Sequence, residues 1–335
     1  MTSPASSLPR FRETPEDFRV DETPLYLPSG EGGHTFVRIE KRLRTTEEVA
    51  RTLARAASCR PRDVGYAGRK DRCGVTCQWF SVPDWSPEEA CALDAPGIRV
   101  LDAKRHPHKL RTGQLRGNRF ELRLRGIEGL DPEGLEKGLE AIRVRGLPNR
   151  FGRQRFGRGG DNAQRARALM RGEPVAGDRR AHRFLFSALQ AEVFNEVLAK
   201  RPLPLDRLEC GDVAVRHVSG GMFVVEDEAH DNSRAAAFEI SATGPIFGTK
   251  VMAPAGAVAE REAQILKDLG IPAGFHRDLP RGLRLRGTRR PLRVPVGDLA
   301  WSIEAQDLRL CFSLPAGSYA TVLIDEAVGP VVDRG

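Results

Sequence analysis

Hydrophobic and polar positions along the chain alternate with a period of two in some stretches and recur every three to four residues in others. The stretch "DFRVDETPLYLP" (17–28) alternates and then meets prolines, which predicts a strand followed by a loop. A glycine turn leads into "HTFVRIEKR", a second strand carrying Phe36, Val37 and Ile39. In "TTEEVARTLARAAS", Thr45 and Glu48 form a capping box, and Val49, Leu53 and Ala56 or Ala57 give one apolar helical face. "VTCQWFSV" reads as a strand, as does "NRFELRLR" (118–125), with Phe120, Leu122 and Leu124 on one face and Arg119, Glu121, Arg123 and Arg125 on the other. A helix starts at Asp131 with Pro132 in its first turn. The clearest helix is "HRFLFSALQAEVFNEVLAKR", with Phe186, Leu189, Val193 and Val197 in helical spacing. "GMFVVED" predicts a strand, and "AVAEREAQILKDLG" a helix closed by Gly270. "DLRLCFSLP" and "SYATVLIDEAV" predict two last strands. Strands at both ends around a helical middle suggest one sheet closed by both ends of the chain, with an insertion between them.

A length of 335 residues favours two domains, and 40% hydrophobic residues suffice for a full core. No run of 18 apolar residues occurs, and the first residues lack the apolar region of a secretory signal. Six scattered cysteines (59, 73, 77, 91, 210, 311) form no C-x-x-C pair, so reduced thiols in a cytoplasmic protein are expected, with no metal. The net charge of +8 says less than its distribution. Residues 104–125 hold eight Lys/Arg and one Glu, and residues 142–158 and 281–293 hold six Arg each and no acid. Such clusters fit a polyanion partner, or else solvated strand faces. "GPIFGTK" and "GRGGDN" miss the spacing of phosphate-cradling loops, and there is no H-E-x-x-H, EF-hand or G-x-S-x-G signature.

The candidate chemistry lies in "GYAGRKDRCGVTCQWFSV" (65–82), where Asp71 stands between Lys70 and Arg72 in a glycine-rich turn. Two adjacent cations favour an ionised carboxylate, which can act as a nucleophile at an electrophilic carbon such as a sugar C1′. Gly68 would let the backbone approach a substrate closely. A solvated surface turn is the alternative.

This segment resembles the A-G-x-K-D-[RK]-x-[AG]-V-T-x-Q-W signature of the TruD family of tRNA pseudouridine synthases. "PEDFRVDE" (15–22), "SGEGGHTFVRI" (29–39), "LRTGQLRGNRFELRLR" (110–125), "PNRFGRQRFGRGGDN" (148–162), "FLFSALQAEVFNEVLAKR" (184–201) and "LPAGSYATVLIDE" (314–326), taken as the family's C-terminal strand, are similar to further family motifs in the same order. Residues 202–300 match loosely apart from "TGPIFGTK". The resemblance makes Asp71 the catalytic aspartate of a tRNA pseudouridine(13) synthase, an isomerase that needs no cofactor and flips its target base out of folded RNA. It also places Phe18, Asn118 and Tyr319 in the substrate-contact set. Tyr319 departs from the family's Phe, keeping the ring and adding a hydroxyl. Phe120 would stack near the uracil, and His34, Lys70 and Arg72 would support the site. By pattern alone, Phe18 and Phe120 read as core residues, Asn118 as a turn cap and His34 as a structural histidine.

The fold the resemblance implies is α+β. A pseudouridine-synthase-like catalytic domain of mixed, mainly antiparallel sheet with helices takes residues 1–154 and 294–335, and an inserted α/β domain takes 155–293. A cleft between them would hold tRNA along the three Arg-rich stretches, with Arg289 and Arg290 on phosphates. A monomer is expected. The competing readings are an RNA-binding protein that has lost catalysis, against which the intact "GRKDR" speaks, and a pseudouridine synthase acting on another RNA.

Overall fold

A computed structural model describes residues 8–157, 159–272, 274–275, 279, 283 and 285–335. In chain order the elements begin with β1 (Arg10–Phe11), β2 (Phe18–Pro24), β3 (His34–Arg42), α1 (Thr46–Ala56), β4 (Gly65–Tyr66), β5 (Val75–Pro83), α2 (Pro87–Cys91), β6 (Ile98–His106), β7 (Leu115–Arg125) and α3 (Pro132–Arg145). They continue with β8 (Leu147–Pro148), α4 (Asn162–Met170), α5 (Arg179–Ala199), β9 (Val213–Arg216), β10 (Met222–Val224), α6 (Glu228–Ala236), β11 (Ile240–Ile246) and α7 (Gly256–Asp268). The last are β12 (Thr288–Pro291), β13 (Arg293–Val294), β14 (Gly297–Glu304), β15 (Asp307–Pro315), α8 (Ala320–Ala327) and β16 (Val332–Asp333). Among the described residues no helix is long and apolar enough to cross a membrane.

The chain divides into two compact units, one of Met1–Leu139, Val296–Ala320 and Ile324–Gly335, the other of Glu140–Pro295 and Thr321–Leu323. The first boundary falls before the expected residue 154 because β8 pairs with β13, Leu147 opposite Val294 and Pro148 opposite Arg293. That pairing ties the segment after α3 to the second unit. The second unit also carries a four-stranded sheet in the order β10-β9-β11-β12, whose strands pair antiparallel. Phe186, Leu189 and Val193 of α5 are fully buried, as their helical spacing requires.

The first unit is built on a sheet in the order β14-β15-β7-β2-β5-β3-β6. It is mainly antiparallel, with β2–β5 and β1–β16 parallel. Segments from both ends of the chain join it. In β3 the phase Thr35, Val37, Ile39 is buried, with Val37 and Ile39 against Val49 and Leu53 of α1, beside Phe80 and Val82 of β5. In β7 the phase Phe120, Leu122, Leu124 faces Phe312, Leu310 and Leu308 of β15, and all six are buried.

One expected strand is a helix. "SYATVLIDEAV" contains α8, with Val322, Leu323 and Ile324 all 2% exposed or less. A short continuous apolar run has no period by which to separate a buried strand from a buried helix. Here the run starts after a turn at Gly317 (φ +83), and packing overrides the strand preference of its β-branched residues.

Candidate active site

Strands β2 and β5 pair only over Arg19–Asp21 and Val75–Cys77. Beyond that the Trp79 N–H bonds to the carboxylate of Glu22 (3.3 Å). The loop 67–74 enters the sheet at this place. Its backbone is tied down at several points. Gln78 donates to the Gly68 carbonyl (3.1 Å), Lys70 N–H donates to Thr46 Oγ1 (2.9 Å), and Lys41 Nζ donates to the Asp71 carbonyl (2.7 Å). At Gly74 (φ +154) an added Cβ would lie 2.6 Å from the Phe18 carbonyl oxygen and 2.7 Å from its ring, so only glycine fits. Gly68, expected to be the position needing glycine, would meet nothing closer than Leu115 at 3.9 Å. The close approach is to Phe18, and it occurs at Gly74.

In this rigid setting the Asp71 side chain is 42% exposed. Its Oδ2 lies 4.0 Å from Nη1 of Arg12, whose own side chain is 8% exposed. Arg12 is fixed in turn by Asp333 of β16, through Nε at 2.7 Å and through Nη2. Burial opposes the charge on Arg12, but the bonds and charge of Asp333 and the charge of Asp71 outweigh it and raise the guanidinium pKa above its ordinary value. The cation also stands over the rings of Phe11 (5.2 Å) and Phe18 (5.5 Å).

The cations adjacent in sequence do not act on Asp71 as expected. Lys70 turns to Glu22 Oε2 (2.8 Å) and to Asn118 Oδ1, and Arg72 reaches the Leu43 carbonyl (3.4 Å). Successive side chains diverge, so flanking residues seldom share a target with the residue between them. The partner of Asp71 comes from β1 and the turn after it, 59 positions away in the chain.

Glu22 and Asn118 are register partners on β2 and β7, so Lys70 bridges a cross-strand pair. An ammonium can only donate, which fixes the Asn118 amide with its oxygen toward Lys70. Its NH2 has no hydrogen-bond partner among the described residues. Phe18 and Phe120 are each 5% exposed, with ring centroids 6.3 Å apart, and Phe120 stacks on Phe312 at 5.2 Å. Tyr319 is half-buried at the start of α8, four residues past Pro315, which pairs with Gly117 next to Asn118.

Two further expectations fail. His34 opens β3, while Lys41, whose side chain touches the Asp71 loop, lies near its other end. Seven residues of strand put them about 23 Å apart. His34 sits instead opposite His106 of β6, with the charges of Asp84, Lys109 and His108 acting on it, and burial lowers its pKa. Arg289 and Arg290 do not offer themselves to phosphate. The Arg289 side chain has no exposed surface and is spent on Glu262, Thr243 and the Met252 carbonyl. Arg290 donates to Asn149 and lies over the Phe151 ring at 4.4 Å. Arg293 is fully buried against the carbonyls of Arg145 and Ala235, and burial lowers its pKa to about 10. Arg158, Arg281 and Arg284 of the acid-free stretches lie outside the described residues. In the third stretch, alternation turns Arg123 and Arg125 away from the Phe120 phase, onto Asp307 (2.7 Å) and Asp17 (2.8 Å).

A family model described as tRNA pseudouridine synthase D (TruD) matches residues 2–176 and 178–327. The chain belongs to this family. Among curated relatives, the tRNA pseudouridine synthase D of Anaeromyxobacter dehalogenans is 45% identical over 94% of this chain and 92% of its own length. That of Geobacter metallireducens is 40% identical over 95% and 94%, and that of Thermus thermophilus 41% over 95% and 88%. A crystal structure of a Methanosarcina mazei protein assigned as tRNA pseudouridine synthase D shares the fold, with a TM-score of 0.81 at 22% identity, over 98% of this chain and 95% of that one.

Within the TruD fold, three residues of this site escape sequence reasoning. Lys41 is in phase with Val37 and Ile39, and Glu22 with Phe18 and Val20, so a charge in the apolar phase of a strand was a readable signal. Arg12 carries no such mark. It lies in a short irregular segment with φ +60, and its role depends on Asp333, 321 residues later.

Proposed function

We propose that the chain isomerises uridine to pseudouridine in tRNA, at position 13, with Asp71 as the reacting carboxylate. One observation carries this reading. Asp71 is a half-exposed carboxylate on a backbone anchored at three points and paired with an almost buried arginine. The reaction breaks the C1′–N1 bond, turns the uracil and forms a C1′–C5 bond. The C5 hydrogen leaves as a proton and N1 gains one, so the step is redox-neutral. Asp71 would either attack C1′ or take a proton from C2′.

Arg12 would aim the carboxylate and stand as a fixed positive charge beside it, in a partly desolvated place. The Asn118 NH2, held outward by Lys70, suits a uracil carbonyl. The rings of Phe18, Phe120 and Tyr319 offer the apolar surface on which an extruded base rests. Exposed Arg111 and Arg116, just before Asn118 on the chain, are candidates for phosphate contact, in place of Arg289 and Arg290.

The test is tritium release from tRNA carrying 5-tritiated uridine. The wild type should release tritium, and a transcript with position 13 changed to cytidine should release none. Asp71→Asn should bind tRNA and keep its melting temperature, yet turn over below a few per cent of wild type. Release by Asp71→Asn above that level, or none by wild type, would overturn the assignment.

A further inference from the structure

Lys41 stands where β3 would carry an aliphatic residue. It is in phase with Thr35, Val37 and Ile39, opposite Thr76 of β5, and it is fully buried. Burying an ammonium is costly unless its donors are used. Its Nζ donates to two backbone carbonyls, Asp71 at 2.7 Å and Arg44 at 2.6 Å. Among the described residues no carboxylate oxygen lies within ion-pair distance of it. The charges acting on it are those of Asp71 and Lys70 in the loop and of Glu47 and Glu48 on α1. Burial is the largest influence and lowers its pKa to about 8.

A lysine used only to fill the core would satisfy any nearby carbonyl. This one joins the Asp71 carbonyl to the turn between β3 and α1, so it fixes the backbone of the residue that carries the chemistry. Arg12 meets the same residue at its carboxylate. Asp71 is thereby met at two atoms, by one cation from β3 and one from the turn after β1.

We propose that Lys41 is a positioning residue for the isomerisation, its buried ammonium fixing the Asp71 backbone and thus the direction in which the carboxylate leaves the loop. The inference rests on Asp71 being the reacting group. A misplacement of about 1 Å can cost on the order of a hundredfold in rate while leaving substrate binding intact. Losing the charge while keeping the amine has a smaller effect, because a neutral amine still donates, with roughly half the strength.

Single-turnover rates and tRNA affinity of wild type, Lys41→Met and Lys41→Arg, each from pH 6.5 to 9.5, test this. Lys41→Met should bind tRNA within about threefold of wild type and react at least about tenfold more slowly, with Lys41→Arg recovering part of the loss. The wild-type rate should fall a few-fold through about pH 8. Neither variant should show that step, since neither side chain titrates there, whereas a step arising in the RNA would persist in all three proteins. If Lys41→Met does not fold, the pH profile of Lys41→Arg decides alone. A Lys41→Met rate within threefold of wild type, or the same alkaline step in wild type and variants, would overturn the proposal. An inactive wild type would instead overturn the functional assignment, so the two failures are distinguishable.

Discussion

The loop around Asp71 and the strands β12–β13 are both rich in cations along the chain, and they use them in opposite ways. Around the loop, Arg12 and Lys41 come in from separate elements and Lys70 of the loop itself turns to Glu22, which leaves the Asp71 carboxylate half-exposed. In β12–β13, Arg289, Arg290 and Arg293 come from five consecutive residues, and their guanidinium groups are spent on buried or half-buried acceptors. Most of those acceptors are backbone carbonyls and amide or hydroxyl oxygens, and Arg289 also pairs with the Glu262 carboxylate. A guanidinium has five donors in a fork, so a single arginine can satisfy several orphan carbonyls where neighbouring segments lack regular pairing. An acid-free run of arginines therefore does not by itself imply phosphate. It can equally mean that the acceptors are backbone, which carries no letter in the sequence.

The comparison is most exposed to failure at Arg289. Replacing it with Met leaves Glu262 buried and without its cation, and frees the Thr243 and Met252 carbonyls. Breaking a buried pair by removing one partner costs about 3–5 kcal/mol. Arg289→Met should lower the thermal midpoint by several degrees or more, while the salt dependence of tRNA binding stays as in wild type. A variant of unchanged stability whose binding responds less to salt would put Arg289 on the RNA and dissolve the contrast.

The other side of the comparison is tested at Arg12. Arg12→Met removes the pairing partner of Asp71 but leaves Asp333 at 36% exposure, able to recover solvent. The stability loss should be modest. The turnover loss should be ten- to a hundredfold, about 1.4–2.7 kcal/mol of transition-state stabilisation, with tRNA affinity within a few-fold. Asp333→Asn should show a smaller loss of the same kind, because it loosens Arg12 without removing it. Equal activity of Arg12→Met and wild type would mean that the 4.0 Å approach is incidental.

What the sequence made legible follows from the range of the interactions. Strands β2, β3, β7 and β15 and helices α1 and α5 were readable because each carries an alternating period, a capping box or a long apolar face, and β5 as a short run rich in β-branched and aromatic residues. The Thr45–Glu48 box forms as expected. Helix α8 was misread because its apolar run has no period. The family motif is what pointed to Asp71, Asn118 and Phe18 as candidates, and the pleat puts Asn118 and Phe120 in a phase that excludes Arg119 and Arg123. Arg12 depends on a strand at the far end of the chain, and the inward turn of Arg289 depends on Thr243 and Glu262, so neither was visible in any local window.

The smallest effect is expected at Tyr319, and it sharpens the comparison by separating a ring from its polar group. The Tyr319 hydroxyl makes no hydrogen bond among the described residues, so none of them depends on its proton. The residue is half-buried at the first turn of α8, following the β15 residues that pair with Gly117 and Asn118. On the proposed function, what it would offer an extruded base is the face of its ring, and base–aromatic stacking is worth about 1–3 kcal/mol. Tyr319→Phe keeps that face and should leave single-turnover rates within a few-fold of wild type. Tyr319→Ala removes it and should cost at least about tenfold, since 1.4 kcal/mol is about one decade. Both variants should keep the thermal midpoint close to wild type, Tyr319→Phe the closer. If Phe proves as damaging as Ala, the hydroxyl reaches the RNA directly, and the site holds a polar contact that neither the protein's own hydrogen bonds nor the family motif foretells.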